Sequence, residues 1–353
     1  MLSAVTRPVG IKEVAEAAGV SITTVSHVLN GKGRLPEATR EHVRSVAERL
    51  GYSPNATARN LAGGRTGLIG LAVAQTIEGR FAVSDFAYYA QLMSAATTAA
   101  IDHGYALVLA SGNEPRPWRN VRLDGVILVD PVRNDPLYRE FRREATPIVT
   151  TGRVPGAAQG RWVDNDHAAG THSILDHLAA RGAGRIALLT SPPTTSYSID
   201  VRTAYEAWCA DSHQETVIAE AREDMTEGSG FEATVRLLRR RRPPDAVYAT
   251  LDRLALGSLL AAQARELAVP RELLVAGCTD SDAGKWAKPS LTALALNPDQ
   301  IGREALAMVI ELIEGTGPAP TNVVVPTRIL PRGSTRRRVI KPPRPTAPPA
   351  SAT

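Results

Sequence analysis

A short polar run is the first place in this sequence where the types and spacing of side chains suggest chemistry. In SITTVSHVLN, residues 21–30, Val25, Val28 and Leu29 share one helical face. The side chains left pointing outward are Ile22, Thr23, Ser26, His27 and Asn30, and Thr24 is a further polar residue of the same run. They offer a methyl-rich surface, hydroxyls, an imidazole and an amide. Such groups can read base edges or contact phosphate oxygens in a DNA groove.

Three short helices are predicted to position this run. Apolar residues repeat at the spacing of a buried helix face in three segments: Ile11, Val14, Ala15 and Ala18; Val25, Val28 and Leu29; and Val43, Val46, Ala47 and Leu50. Gly19 suits a tight turn after the first helix, and Ser21 stands where an N-cap is needed. Pro36 fits the first turn of the third helix, which Gly51 ends. Two short helices joined by a glycine turn predict a helix-turn-helix.

Four motifs follow one another in this part of the chain. They are EVAEAAGVS, TVSHVLNG, TREHVRSVAERLGY and PN-x-x-AR-x-L. With them, the run from Ile11 to Gly70 resembles the lactose-repressor (LacI-type) family of bacterial transcription regulators. The resemblance continues more loosely to residue 335.

The resemblance implies a role in DNA binding for each outward side chain. Ile22, Thr23 and His27 stand at the positions with which the family reads base edges. His27 replaces the arginine often found there, so it can donate to guanine but lacks the bidentate fork. Thr24, Ser26 and Asn30 are expected to contact phosphates, which position the protein on DNA without specifying sequence.

Residues 53–65 are expected to form a hinge. After Pro54, the segment ATARNLA could make about two helical turns, which is marginal in water without a partner surface. The resemblance implies a helix that folds in the DNA minor groove, with Asn55, Arg59 and Leu61 as its DNA-binding residues. Leu61 would be a wedge at the central base step. The alternative is an ordinary linker leucine that packs on the core.

From Thr66 onward, short apolar segments alternate with amphipathic ones. Predicted strands lie at 67–74, 106–111, 124–130 and 147–152 in a first lobe, and at 185–190, 216–221, 245–250 and 273–278 in a second. Predicted helices lie at 85–103, 166–181, 199–211, 229–240, 253–266 and 298–314. This alternation predicts two doubly wound parallel sheets with a ligand cleft between them. Pro115 and Pro117 leave only a turn, or no helix, between Ser111 and Asp124.

The resemblance extends to a periplasmic-binding-protein-like sensor over residues 66–330, and it implies effector-binding residues. Arg202, Asp252 and Asp280 match family positions that reach the ligand. The resemblance implies an effector that is a sugar or a related metabolite. Leu251 and Thr279 replace polar residues that the family uses to read a ligand, so the identity of this effector is left open. Tyr88 and Tyr89 are expected either to stack on a ligand ring or to pack in the core. In VDND, 163–166, the last aspartate is expected to cap the following helix.

Charge and composition bound the remaining possibilities. Residues 1–66 carry a net charge of +4 and residues 331–353 one of +6, which leaves −5 for the middle. Basic ends around an acidic middle suit one end that faces nucleic acid. Cys209 and Cys278 are expected to be buried, reduced thiols. No apolar run reaches membrane-spanning length, so we expect a soluble, cytoplasmic protein without membrane partners.

No catalytic or metal-binding pattern is evident. Phosphate-loop, zinc-protease and nucleophile-elbow motifs are absent from the sequence. His167, His172 and His177 are spaced by five residues, which turns them away from one helical face. We therefore expect neither enzymatic activity nor a cofactor.

These observations predict an all-α headpiece followed by a two-lobed α/β sensor. The expected divisions are a leader at 1–10, the headpiece at 11–52, the hinge at 53–65, the effector-binding and dimerisation domain at 66–330, and a disordered basic tail at 331–353. The predicted function is a ligand-responsive transcriptional regulator, a repressor of carbohydrate or small-metabolite genes. It would bind a palindromic operator as a homodimer, with a tetramer left open. The alternative is a small-molecule binding module without specific DNA readout.

Overall fold

The computed structural model describes residues 9–29, 34–52, 64–73, 87–111, 116–222, 224–317 and 321–336. The chain divides into two compact units, Met1–Gly67 and Leu68–Thr353. In the described part, no helix is long and apolar enough to cross a membrane.

Within its described residues, the first unit holds three helices, α1 (Ile11–Ala18), α2 (Ile22–Leu29) and α3 (Glu37–Arg49). Gly19 ends α1 with a φ of 64°, a backbone conformation that costs glycine little. The hydroxyl of Ser21 accepts a hydrogen bond of 3.0 Å from the amide of Thr24 and so caps α2. The predicted turn and cap are both confirmed.

A small apolar core holds the three helices together. Its fully buried members are Val14, Ala15, Ala18, Val25, Val28, Val43, Val46 and Ala47. Ile11, Leu29 and Leu50 pack against it while partly buried. The periodicity of the sequence therefore identified this core correctly.

The first lobe of the second unit is a six-stranded parallel sheet in the order β11-β5-β4-β3-β1-β2. Its strands are β1 (Leu68–Val73), β2 (Ala106–Ser111), β3 (Gly125–Val129), β4 (Ile148–Thr151), β5 (Trp162–Asn165) and β11 (Asn322–Val325). Its helices are α4 (Ala87–Asp102), α5 (Arg116–Arg119), α6 (Pro136–Arg143) and α12 (Pro298–Glu314). The main core lies between the sheet and the pair α4 and α12.

The second lobe is built in the same way, in the order β12-β10-β9-β8-β6-β7. Its strands are β6 (Ile186–Thr190), β7 (Ile218–Glu220), β8 (Ala246–Ala249), β9 (Leu274–Cys278), β10 (Thr292–Ala295) and β12 (Arg328–Leu330), of which β12 runs antiparallel to β10. Its helices are α7 (His167–Ala180), α8 (Ser196–Asp211), α9 (Glu227–Leu238), α10 (Asp252–Ala264) and α11 (Asp282–Trp286).

The sequence predicted most of these elements. The eight predicted strands and six predicted sensor helices are present within three residues of their expected bounds. In the described residues 116–123, before Asp124, the chain forms a single helical turn, α5, which agrees with the prediction of at most a turn here. Helices α6 and α11 and strands β5, β10, β11 and β12 were not predicted, because these short elements offer few periods of a pattern.

The expected start of the tail at residue 331 is not what the structure shows. Residues 333–335 form a 3₁₀ turn in which Ser334 and Thr335 are fully buried. The hydroxyl of Ser334 donates to the carbonyl of Val275 at 2.6 Å and accepts from the amide of Thr292 at 2.8 Å. The packed second lobe therefore extends to Arg336. Hydrogen bonds to distant strands hold this segment in place, although its own sequence predicts no helix or strand.

Candidate functional site

The outer face of α2 is the first candidate site. Ile22 is 45% exposed, a large fraction for an isoleucine, and Thr23 and His27 are exposed on the same helix. Val25 and Val28 on the opposite face are buried in the headpiece core. The helix therefore presents to solvent the side chains that were expected to read bases.

The expected phosphate contacts are only partly described. The hydroxyl of Thr24 forms a hydrogen bond of 2.8 Å with that of Ser21, so it helps the cap as well as the surface. Ser26 is half-buried. Asn30 and the predicted hinge residues Asn55, Arg59 and Leu61 lie outside the described residues.

The second candidate site lies between the two lobes. The segment after β3 meets the start of α8 through an isolated bridge between Val132 and Thr195. After β4, the amide of Arg153 donates to the hydroxyl of Ser196 at 3.1 Å, and its guanidinium pairs with Asp200. The carboxyl ends of β3 and β4 thus face the second lobe, as expected for a cleft in an open α/β fold.

Asp130 lies directly after β3, and the pKa of its carboxyl is well above the usual value. Its side chain accepts a hydrogen bond of 2.8 Å from the hydroxyl of Tyr89. Burial raises the pKa of Asp130 to about 6, and repulsion from Asp164 acts in the same direction. The hydrogen bond from Tyr89 opposes this shift because it favours the charged form.

A second buried group lies where β5 passes into α7. The imidazole Nε2 of His167 is 2.7 Å from one carboxylate oxygen of Asp164, and Ser196 donates to the other at 3.4 Å. The rings of Tyr197 and His167 meet edge-on, with 4.7 Å between their centroids. The hydroxyl of Tyr197 donates to the carbonyl of Thr250 at 2.6 Å. These contacts join the lobes.

Asp252 forms the edge of the cleft in the second lobe. It begins α10, is 7% exposed, and hydrogen-bonds with the hydroxyls of Ser281 and Thr279. Burial raises the pKa of Asp252 above its usual range. Thr279, which stands where the resemblance implies a polar ligand reader, therefore helps to stabilise the carboxylate of Asp252.

Tyr88 and Tyr89, at the start of α4, occupy the interface between the lobes. Both pack on the core of the first lobe. Tyr88 also packs against Cys278 and Leu294, and Tyr89 packs against the second-lobe cluster around Leu254. Burial raises the pKa of both hydroxyls well above the usual value.

Two of the expected effector residues are engaged with other partners. The guanidinium of Arg202 pairs with Glu220 at the end of β7. Asp280 pairs with Arg332 at 2.6 Å and lies 3.8 Å from Lys285. Neither joins the group around Asp130 and Asp164 through these contacts, and their roles in ligand binding stay predictions.

Sequence reasoning missed several residues of the cleft, namely Asp130, Arg153, His167, Ser196 and Tyr197. Asp130 offered a usable signal, since it is the polar residue that ends the buried strand in DGVILVD. The others sit on loops or helix starts whose neighbours are set by the approach of the two lobes. Asp166 accepts from the amide of Ala169 at 2.9 Å, which confirms the expected cap of α7. Cys209 and Cys278 are free and buried, as expected.

The cleft is rich in hydrogen-bond acceptors and in aromatic surface. Its carboxylates suit ligands with several hydroxyl donors, and tyrosine rings suit the apolar face of a sugar. Within the described ranges, no three side chains of His, Cys, Asp or Glu type lie close enough to hold a metal ion.

A helix-turn-helix unit joined to a two-lobed α/β sensor with an interlobe cleft defines a class, the ligand-responsive DNA-binding regulators. Residues 10–55 match the bacterial regulatory proteins of the lacI family, and residues 175–335 match the periplasmic binding protein-like domain. The HTH-type transcriptional regulator CelR of Thermobifida fusca is 30% identical over 92% of this chain and 97% of its own length. The chain belongs to the LacI family of transcriptional regulators.

Two solved structures are similar over the whole architecture. One is a complex of the transcriptional regulator CelR with cellobiose, with a TM-score of 0.70 and 28% identity over 93% of this chain and all of that one. The other is the lac repressor dimer bound to operator and the anti-inducer ONPF, with a TM-score of 0.75 and 25% identity over 93% and 99%. These relatives are regulators rather than enzymes, and a binding module without DNA readout is not favoured.

Proposed function

We propose that this protein is an effector-controlled repressor that binds a palindromic operator as a homodimer in the cytoplasm, where bacterial DNA lies. The observation that carries the proposal is the outer face of α2, with Ile22 at 45% exposure beside Thr23 and His27. Ile22 contacts a thymine methyl and His27 donates to guanine. Thr24, Ser26 and Asn30 contact phosphates, and the hinge residues Asn55, Arg59 and Leu61 bind the minor groove.

The effector is a neutral, hydroxyl-rich small molecule of the sugar type. The buried carboxylates of Asp164 and Asp252 and the half-buried carboxylate of Asp130 are acceptors for its hydroxyls, and Tyr88 and Tyr89 supply aromatic surface. Arg202 and Asp280 contact the effector after exchanging their present partners. The cellobiose bound to a relative of the same architecture supports this ligand class.

Dimerisation follows from the geometry of operator reading and from an exposed apolar surface. One headpiece reads too few base pairs to define a specific site. In the second lobe, Trp286 is 83% exposed and Leu260 is 50% exposed. Leu260 lines a groove of about 640 Å³ with Leu256, Leu259, Leu267 and Val269. Such a surface is typical of a protein interface, and a relative is a dimer on its operator.

Effector and operator act on one equilibrium. Closure of the cleft shifts the lobes, and the shift changes how readily the hinge segments order on DNA. If the effector changes the affinity for the operator by some factor, linkage requires that the operator change the affinity for the effector by that same factor.

The first experiment is sequencing of the genomic fragments that the purified protein retains at near-physiological salt, where the nonspecific phosphate contribution is reduced. We expect a short palindrome with a fixed centre. An Ile22→Ala and Thr23→Ala variant should retain a different or degenerate motif. Retention without any enriched motif, by protein shown to be folded and dimeric, would argue against operator reading.

A second experiment tests the cleft with cellobiose and a panel of mono- and disaccharides by calorimetry. Arg202→Ala should weaken the binding of whichever sugar binds, and Arg236→Ala is the matched control because Arg236 also contacts Glu220, through its carbonyl. If the parent and Arg202→Ala bind the sugar with equal affinity, Arg202 is not part of the effector site.

A further inference from the structure

Three segments connect the two lobes, and each passes between sheets at a different point of the chain. Asp166 joins β5, which ends at Asn165, to α7, and Leu296 and Asn297 join β10 to α12. Residues 326 and 327 join β11 to β12. Any rotation of one lobe against the other must be absorbed in these three connections.

The side chain of the residue before the first connection hydrogen-bonds to the backbone where the other two connections begin. Asn165 is the last residue of β5, directly before the first connection, and its amide nitrogen donates to the carbonyl of Leu296 at 3.1 Å and to that of Val325 at 2.8 Å. Leu296 begins the second connection and Val325 precedes the third. Asn165 is 6% exposed, so water does not readily replace these bonds.

The orientation of this amide is determined by its partners. Backbone carbonyls only accept hydrogen bonds, so the NH₂ group must face both of them. A carboxylate at this position would place negative charge against two carbonyl oxygens, and an apolar residue would leave both of them without this donor. Asparagine therefore has the two donors and the short reach that this position needs.

A second asparagine repeats the arrangement between two of the connections. The amide nitrogen of Asn297 donates to the carbonyl of Pro326 at 2.6 Å. Its backbone has a φ of 50°, which asparagine tolerates better than most residues, and Pro298 follows at the start of α12. This hydrogen bond joins the second connection directly to the third.

We propose that Asn165 is a positioning residue that sets the angle between the lobes, with Asn297 in support. Sliding of the connections past one another must stretch at least one of the two hydrogen bonds from Asn165. The side chain therefore limits the arrangements that the lobes adopt. Its effect on operator binding rests on the proposed function, whereas its effect on the lobes does not.

The test measures the distance between the lobes directly. Spin labels are attached to cysteines introduced at the exposed residues Arg139 of α6 and Arg239 after α9. Burial raises the pKa of the native Cys278 thiol to about 12 and also raises that of the Cys209 thiol, so labelling is directed to the introduced pair. Labelled protein is diluted with unlabelled protein, so that distances within one chain dominate in a dimer.

Pulsed electron resonance should give a narrow distance distribution for the parent and a broader or two-peaked one for Asn165→Ala. Asn165→Ser, which keeps one donor, should lie between them. Asn322→Ala removes an exposed amide from β11 and is the matched control, with an unchanged distribution. If Asn165→Ala does not fold, Asn297→Gly, which tolerates the same φ, takes its place. Identical distributions in the parent and in folded Asn165 variants would overturn the proposal.

Operator binding separates this inference from the proposed function. If the hinge orders in only one arrangement of the lobes, Asn165→Ala should lower the ratio of operator to non-operator affinity about 10-fold. A broadened distance distribution with an unchanged ratio would support the positioning role and reject the coupling of lobes to hinge. An unchanged distribution with a lowered ratio would reject the positioning role.

Discussion

Two histidines of the headpiece are both exposed but lie on different helices. His27 belongs to the outer face of α2, and His42 lies on α3. Because both are solvated imidazoles on the same small unit, they allow base reading to be separated from general charge and surface effects.

His27→Ala should weaken binding to the selected operator about fivefold, as expected for the loss of one hydrogen bond to a base. It should also relax the preference at one position in each half-site. His42→Ala should leave both affinity and preference unchanged. Selection from an operator library, followed by fluorescence anisotropy, measures the two quantities. Equal effects of the two substitutions would assign His27 to general surface electrostatics.

Asp130 makes the stability of the sensor depend on pH. Its folded pKa of about 6 lies above the ordinary carboxyl value, so the folded state binds the proton more tightly than the unfolded state does. The contribution of this group to stability is therefore fully present at low pH and is lost as pH rises from about 4 to 6. Above that window, the buried charge costs about 2–3 kcal/mol.

Asp130→Asn should remove this pH-dependent loss of stability, because an amide stays neutral throughout the window. Asparagine tolerates the φ of 49° at this position and keeps an acceptor for Tyr89. Urea unfolding of the parent and variant from pH 4 to 7.5 should show that the variant gains relative stability as pH rises. A difference between the two proteins that does not vary with pH would contradict the assigned shift.

At the scale of elements, the structure depends on a few local signals that act through the backbone. Ser21 caps α2, and Gly19 turns the chain before it. In the second lobe, α9 and α10 approach each other closely through Gly230 and Gly257. Each of these features can be tested by a substitution that adds one methyl group or removes one hydroxyl.

Ser21→Ala should destabilise the headpiece by about 1 kcal/mol, because the amide of Thr24 loses its side-chain acceptor. Ser45→Ala, in the exposed middle of α3, is the control and should change stability little. Thermal unfolding followed by circular dichroism compares them. Equal melting temperatures would show that the cap contributes nothing measurable.

Gly257→Ala should cost about 3 kcal/mol or more, because its new methyl group would meet the backbone of α9, 2.6 Å from the amide nitrogen of Phe231. Gly228→Ala is the matched control, since the nearest atom to its methyl would be 3.6 Å away. Chemical unfolding of both variants gives the comparison. A Gly257→Ala protein as stable as the control would mean that the two helices can separate freely.

At the scale of the whole molecule, assembly and regulation both depend on surfaces that no single element supplies. The apolar groove of the second lobe combines α10 with residues 287–289, next to the exposed Trp286. The cleft combines loops from both lobes. Each surface exists only because distant segments of the chain meet.

Leu260→Ser together with Trp286→Ser should weaken self-association at least 10-fold, since both remove large apolar surface from the proposed interface. Val324→Ser removes an exposed apolar side chain from β11 and should leave association unchanged. Sedimentation over a range of concentrations measures the dissociation constant. A dimer of unchanged affinity in the double variant would place the interface elsewhere.

The sequence by itself determined the elements whose signals are local. The three headpiece helices follow from repeated apolar residues, a turn glycine and a capping serine, all within a few residues of one another. The eight strands and six sensor helices follow from the same kind of short-range pattern. The family resemblance then supplied the architecture and the candidate DNA contacts.

Only the tertiary structure decided how the two lobes are joined and what lies between them. Strands β10, β11 and β12 belong to alternating sheets, although they lie close together in the sequence. Asp130 meets Tyr89, and Asn165 meets Leu296 and Val325, across 41, 131 and 160 residues respectively. Such contacts depend on the packing of two complete sheets. No local pattern records them, because the physical constraint on each residue comes from a partner far away in the chain.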